Sequence, residues 1–262
     1  MRKVQRYLAK LFNNKQILAV KGHELFSLLQ HRGSIRALVT WPEFSITSFV
    51  MVSELAKQGI SPRTVLDVGA NVGQFTVAAA KLFPKVQIHA FEPVPECAQT
   101  LQKNVAGLGN ITVYPFALGD SEGEVAFHIN SYSLEKSSVL PLAHGHLQAF
   151  PEAQETKEIM VKVSTLDKVF ANVEFQEPTL LKLDVQGYEA YILRGGVETL
   201  KRLDYVVLET SFKPMYEGEV LFMDIVRIME DQSFYFTRPL GWFAMPGTGE
   251  VLEMDALFTR AV

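Results

Sequence analysis

The stretch Thr64–Gly73, TVLDVGANVG, decides the fold. β-Branched and apolar residues lead into Asp67, glycines follow at Gly69 and Gly73, and the helix-period run VGQFTVAAAKLF continues from there. This predicts a buried strand, a tight turn and a helix. Without a Cβ, the backbone at Gly69 and Gly73 can take unusual φ values and a ligand can lie against it. The plainer alternative is a strand-to-helix connection that uses glycine only for turning. The next predicted strand, VQIHAFEP at 86–93, ends in Glu92, about twenty residues beyond the turn, where an acid can accept two hydrogen bonds from a ribose diol. Otherwise Glu92 is a solvated acid that stabilises the N-terminus of the following helix. The dinucleotide fingerprint GxGxxG is not met, because Asn71 and Gln74 stand at its second and third glycine positions. Pyrophosphate needs that close backbone approach; a ligand without phosphate does not.

Further stretches extend the pattern: LDVGANVGQFT at 66–76, FEPVPE at 91–96, NITVYPFALGD at 110–120, SSVL at 137–140, STLD at 164–167 and LLKLDVQGYE at 180–189. In order and spacing they resemble the FkbM-like branch of the class I S-adenosylmethionine-dependent methyltransferases, over roughly residues 60–236. One departure is Gln186, where the family often has a glutamate. The resemblance implies an α/β, Rossmann-like sheet of seven strands, mostly parallel with the last strand antiparallel, and helices on both faces. It divides the chain into an N-terminal helical extension, 1–60, and a class I methyltransferase domain, 61–262. The cofactor implied is S-adenosylmethionine, held by Asp67, Gly69, Ala70, Asn71, Gly73, Phe75, Glu92, Pro93, Ala117, Leu118 and Asp184. The implied reaction is O-methylation of a hydroxyl on a sugar, glycolipid or polyketide-type natural product.

The chain's bulk properties agree with a globular enzyme. With 262 residues, 48% of them hydrophobic, and a net charge of −4, it suffices for one substantial α/β domain. A pI near 5.9 argues against nucleic acid as the main partner. Cys97 is the only cysteine, which excludes an intrachain disulfide and a thiolate metal site and fits a reducing compartment. No apolar run is long enough to span a bilayer, so the expectation is a cytoplasmic protein with a small-molecule or carbohydrate acceptor.

Residues 1–23 carry six basic side chains and read as a basic amphipathic helix, either a membrane- or polymer-facing element or an ordinary surface helix. Residues 24–58 stay helical in pattern, with breaks at HRGS and at Trp41-Pro42; by resemblance, this preamble covers the cofactor site and helps to define the acceptor pocket. Pro84 ends the helix after the glycine turn, and Pro95 and Glu96 open the next. ITVYPFAL reads as strand three, and EVAFHI and EIMVKV as added antiparallel strands. Between these, 130–157 is a long polar segment that suits a lid over the acceptor, with Ser137 and Ser138 as acceptor contacts. Ser164 and Asp167 have capping-box spacing. TLLKLDV and YVVLET follow as core strands, then a helix from Glu219 to about Glu230, and SFYFT and DALFT close the sheet.

In such a sheet, ligands collect at the carboxyl ends of the strands. Asp184 and Glu209 fall there as candidates to deprotonate or align an acceptor hydroxyl, directly or through a divalent cation such as Mg²⁺. Lys182 joins them as a catalytic candidate, and Glu189 is a weaker, substrate-side one that can instead cap a helix. The alternative is that the acids cap turns or pair with Lys182 or Arg194. His128, His144 and His146 flank the loop as possible bases. Two other classes stay open: a non-catalytic cofactor-binding module and a dinucleotide-dependent oxidoreductase.

Overall fold

The computed structural model describes residues 31, 33–130, 134–143, 156–245 and 247–261. The basic segment 1–23 and the histidines at 144 and 146 lie outside these. Two helices come first, α1 Ser34–Thr40 and α2 Ile46–Lys57. The break expected at Trp41-Pro42 falls between them. The break at HRGS is the start of α1, with Gly33 as its N-cap.

The strands β1 Thr64–Val68, β2 Gln87–Phe91, β3 Ile111–Tyr114, β7 Thr179–Leu183, β8 Tyr205–Ser211, β9 Phe234–Ala244 and β10 Val251–Arg260 form one sheet in the order β3-β2-β1-β7-β8-β10-β9. The first five of that order run parallel, and β10 is antiparallel to both β8 and β9. This is the seven-stranded sheet that the sequence implies. Helices α3 Gln74–Leu82 and α4 Pro95–Val105 follow β1 and β2. Because side chains alternate along a strand, Leu66, Val68, Leu181, Leu183 and Leu208 pack into one core while Val65, Leu180, Val207 and Leu257 pack into the other. Met51, Val52 and Leu55 of α2 belong to the second core, so the described part of the N-terminal extension is packed on the sheet.

Three local expectations need correction. ITVYPFAL is not one strand: β3 stops at Tyr114, and β4 Ala117–Leu118 leaves for a second sheet, β4-β6-β5, with β5 Gly123–Asn130 and β6 Thr156–Ser164. The chain turns there at Pro115 and Phe116, and the antiparallel β5–β6 pair expected from alternation is present. The cap of α5 Leu166–Phe170 is Thr165, whose hydroxyl accepts from the Lys168 N–H; Ser164 is still within β6. Asp167 instead accepts from Glu198 and Thr199 at the start of α7 Val197–Leu200, which follows α6 Glu189–Arg194. The last helix, α8, is Phe222–Asp231, because Glu219 is taken up by the Met215 and Tyr216 N–H groups and the Ser211 hydroxyl.

Candidate active site

A cavity of about 310 Å³ opens at the carboxyl ends of β1, β2, β7 and β8. One end of it is built largely by backbone. Gly69 and Ala70 both donate to the Phe91 carbonyl, at 3.1 and 2.9 Å, which ties the turn after β1 to the end of β2. Glu92 accepts from the Asn71 N–H on one oxygen and from the Val94 N–H on the other, each at 2.8 Å. Each oxygen keeps a second lone pair, and Glu92 lines the cavity. Burial pushes this carboxyl up to about 7 against the pull of those two N–H groups. Val94, Phe91, Phe116, Ala117 and Leu118 supply apolar wall. Cys97 also lines it, with its thiol pushed up to about 11 by burial, so it is no thiolate nucleophile.

Both glycines are also required by packing. Gly69 has φ +80°, and a Cβ there would overlap the carbonyl oxygen of Asp184, in the turn after the neighbouring strand β7. At Gly73, outside the cavity wall, a Cβ would stand 2.7 Å from Leu101 of α4. The unusual φ expected at both is present, +80° and +98°; Gly69 lines the cavity while Gly73 does not.

The other end of the cavity is built by side chains from three strands. Lys182 is buried, with its ammonium 3.0 Å from Asp184 Oδ2, 3.8 Å from Asp67 Oδ1 and 5.6 Å from the Phe75 ring centre. Burial works against that charge, but Asp184 and Asp67 outweigh it and hold the ammonium's pKa above its ordinary value. Asp184 lines the cavity with 37% of its side chain exposed. Gln186 donates its amide to Asp184 Oδ1 at 3.1 Å and to Glu209, while its own oxygen accepts from Tyr216 at 2.6 Å. Burial opposes ionisation of Asp184, but Lys182, Gln186 and Glu209 together keep its carboxyl below the usual range. Glu209 goes the other way, well above it, through burial and the charge of Asp184. Of the two carboxyls, Glu209 is therefore the one whose protonated form is favoured.

Of the residues singled out in the sequence, Gly69, Ala70, Asn71, Phe75, Glu92, Pro93, Ala117, Leu118, Ser137, Lys182, Asp184 and Glu209 line this one cavity. Asp67, Gly73, Ser138 and Glu189 do not. Asp67 is fully buried and accepts from the Thr76 hydroxyl at 2.5 Å. Ser138 donates to the Gln186 carbonyl at 2.7 Å and accepts from Leu140. Glu189 accepts from the Val185 N–H at 2.9 Å, capping the turn below the site. Arg194 lies over the Tyr191 ring, away from the acids. Among the described residues the His128 ring is 3.9 Å from Glu158, and His128 is not on the cavity wall. Among the described residues no three His, Cys, Asp or Glu side chains are placed to hold a metal ion. The position beside Asp184 that a divalent cation would take is filled by the Lys182 ammonium and the Gln186 amide.

Several wall residues were not singled out one by one in the sequence, although the preamble 24–58 and the segment 130–157 were both expected over the site. Ser45, Thr47, Ser48 and Met51 close the cavity from α2. Glu135, Lys136 and Val139 approach from the segment after β5, where a 3₁₀ turn, Leu134–Lys136, is tied to α3 by Gln74 donating to Glu135 at 3.1 Å. Asp255 enters from β10, paired in register with Glu209 of β8.

A sheet in this order, with its cavity where strand order reverses beside β1, is that of the S-adenosylmethionine-dependent methyltransferases. The family model of the Methyltransferase FkbM domain matches residues 67–236, and the chain belongs to that family. It is 26% identical over 182 residues to the 2-O-methyltransferase NoeI of Sinorhizobium fredii, covering 68% of this chain and 75% of that protein. It is 26% identical over 180 residues to the hexuronic acid methyltransferase AglP of Haloferax volcanii, 66% and 69% of the two chains. It is 31% identical over 185 residues to the 31-O-demethyl-FK506 methyltransferase FkbM of Streptomyces tacrolimicus, 60% and 68%. Among solved structures, the magnesium protoporphyrin IX methyltransferase of Synechocystis PCC 6803 aligns over 82% of this chain and 78% of its own, with 14% identity and a TM-score of 0.48. No helix among the described residues is long and apolar enough to cross a membrane.

Proposed function

We propose that this methyltransferase acts on a hydroxyl of a small molecule of sugar or polyketide type. The observation that carries this is a single cavity in which a backbone cradle with a two-oxygen acceptor, Glu92, faces a cluster of strand-end carboxylates held by Lys182. The cradle suits S-adenosylmethionine: the free lone pairs of Glu92 match a ribose diol, the turn Gly69–Asn71 faces the amino-acid part, and the walls at Phe91, Ala117 and Leu118 suit an adenine. When bound, the cofactor supplies an electrophilic methyl group on a sulfonium. The chain's own residues would then align and prepare the acceptor. Asp184, fixed by Lys182 and Gln186, offers a charged hydrogen-bond acceptor to a hydroxyl, and Glu209, in its favoured protonated form, offers a donor to a neighbouring oxygen. Such a pair of adjacent acceptor and donor groups fits a polyol better than an isolated amine. Three relatives point the same way by name: a 2-O-methyltransferase, a hexuronic acid methyltransferase and an O-demethyl-FK506 methyltransferase.

The test is calorimetric titration with S-adenosylhomocysteine and with NAD, followed by transfer of labelled methyl onto carbohydrate, glycolipid and polyketide acceptors. Binding of S-adenosylhomocysteine alone and label on an acceptor oxygen are expected. Label on nitrogen or carbon only would defeat the hydroxyl assignment.

A further inference from the structure

We infer that Asp255, on the last strand of the sheet, is the group that takes the proton from the acceptor hydroxyl during methyl transfer; this rests on the cavity being a methyltransferase site. Three carboxyls line the acceptor end, and they are not equally available. Asp184 has Lys182 on one oxygen and Gln186 on the other. Glu209 accepts from the Gln186 amide, and burial with the charge of Asp184 favours its protonated form. The Asp255 carboxylate makes no hydrogen bond or ion pair among the described residues, so its lone pairs are open to a hydroxyl.

The neighbouring strand supports the assignment independently. Gly241 of β9 is the register partner of Asp255, and a Cβ at Gly241 would stand 3.0 Å from Asp255 Oδ2. The missing side chain clears the room that this carboxylate occupies. Gly241 is not on the cavity wall, so ligand contact does not account for it.

In the step itself, the acceptor O–H bond breaks and its proton passes to the Asp255 carboxylate. The oxygen electron pair so released forms the C–O bond to the methyl carbon, and the electrons of the S–C bond return to sulfur, which leaves as a neutral thioether. Charge balances: a sulfonium and a carboxylate become a thioether and a carboxylic acid. The groups around Asp255 set its readiness. Burial and the charges of Asp184 on the β7 side and Glu253 on its own strand raise it, Lys182 lowers it, and the carboxyl is pushed up to about 7. Glu209 faces it from β8, with its own carboxyl held above the ordinary range, and Gly241 on β9 brings no charge.

The experiment uses the full chain, tritium-labelled S-adenosylmethionine and a panel of methyl glycosides (hexose, 6-deoxyhexose and hexuronate) with polyketide alcohols, comparing wild type, D255N and Gly241→Ala. For wild type, kcat/KM should rise about tenfold per pH unit and level off above roughly 7. D255N should lose roughly 10²- to 10⁴-fold in kcat and lose that pH dependence, with S-adenosylhomocysteine affinity within about twofold of wild type. Gly241→Ala, which presses on the carboxylate from outside the wall, should shift the inflection and lower kcat by about tenfold; if D255N does not fold, this variant decides, and an unchanged profile overturns the inference. A D255N protein that keeps wild-type turnover, or loses turnover but retains the wild-type pH profile, overturns the assignment to Asp255 alone. A wild type that labels no acceptor oxygen overturns the hydroxyl reading and this inference with it.

Discussion

The two ends of the cavity are held by different chemistry. At the cofactor end, the polar atoms are backbone groups of one turn, answered by the adjacent strand and by Glu92. At the acceptor end, side chains from β7, β8 and β10 hold one another, with one ammonium among several acids. Backbone geometry is set by local sequence and tolerates little variation; a side-chain cluster depends on register across the sheet, and its charge state is adjustable. A cofactor common to many enzymes suits the first construction, and an acceptor particular to one suits the second.

Removing the ammonium should strain that contrast most. Lys182→Met leaves Asp67 and Asp184 without their cation, and the loss of one partner from a buried pair costs about 3–5 kcal/mol. Denaturant unfolding at neutral pH measures it; an effect below about 1 kcal/mol would mean that the acceptor end is not held by charge.

The next effect lies beneath the acceptor end, off the wall. Burial pushes the Glu189 carboxyl up to about 8. Between the ordinary value of about 4.3 and that pH, the folded chain holds a proton that the unfolded chain has released, so stability falls as pH rises and levels off above 8. Glu189→Gln keeps an oxygen for the Val185 N–H and should recover about 2–4 kcal/mol at pH 8 relative to pH 5. Glu92 and Asp255, raised in the same direction, leave a residual slope. Identical pH profiles for the two proteins would show that Glu189 does not carry the penalty.

At the cofactor end, Glu92→Ala should weaken S-adenosylhomocysteine binding at least about tenfold, near 1.4 kcal/mol, because it removes both the ribose acceptor and the anchor of the Asn71 N–H. Calorimetry at pH 8 measures it, and unchanged affinity would remove Glu92 from the cofactor site. The smallest change is expected on the roof. Ser138→Ala deletes the hydrogen bond to the Gln186 carbonyl, costing about 1 kcal/mol. Hydrogen exchange at the Leu140 amide should quicken while cofactor affinity holds; loss of affinity instead would place Ser138 in cofactor binding.

The contrast also explains what was legible in the chain. The backbone-built end was, because Gly69, Ala70 and Asn71 are contiguous and Glu92 follows directly on the very next strand. Asp184 and Glu209 were, because an acid closing an apolar strand is conspicuous. Asp255 was not: it touches this site through antiparallel register with Glu209, and no local period announces a register. The length of β9 was missed for a related reason. Pro239 and Gly241 weaken a strand pattern, yet β9 is at the sheet's edge and its pairing slips between Asp255 and Ala256, where both are tolerated. Ser164 and Thr165 are chemically equal caps, and only the end of β6 decides between them. Gly69 was correctly marked, but its reason, a carbonyl on a strand far away in sequence, could not be read locally.

That contact at Gly69 has a bearing on alignment. The turn that faces the methyl donor and the turn that carries Asp184 are seated against each other backbone to backbone, with no side chain between them to act as a spring. The Asp184 N–H also donates to the Val68 carbonyl at 3.1 Å. On the proposed reading, donor and acceptor platforms would share a fixed datum, as two jaws cut from one block do, so that the gap for methyl transfer would be set by the backbone contact between these turns. Variation in the acceptor is then accommodated by the surfaces that are not part of that block: α2, the segment after β5, and β10.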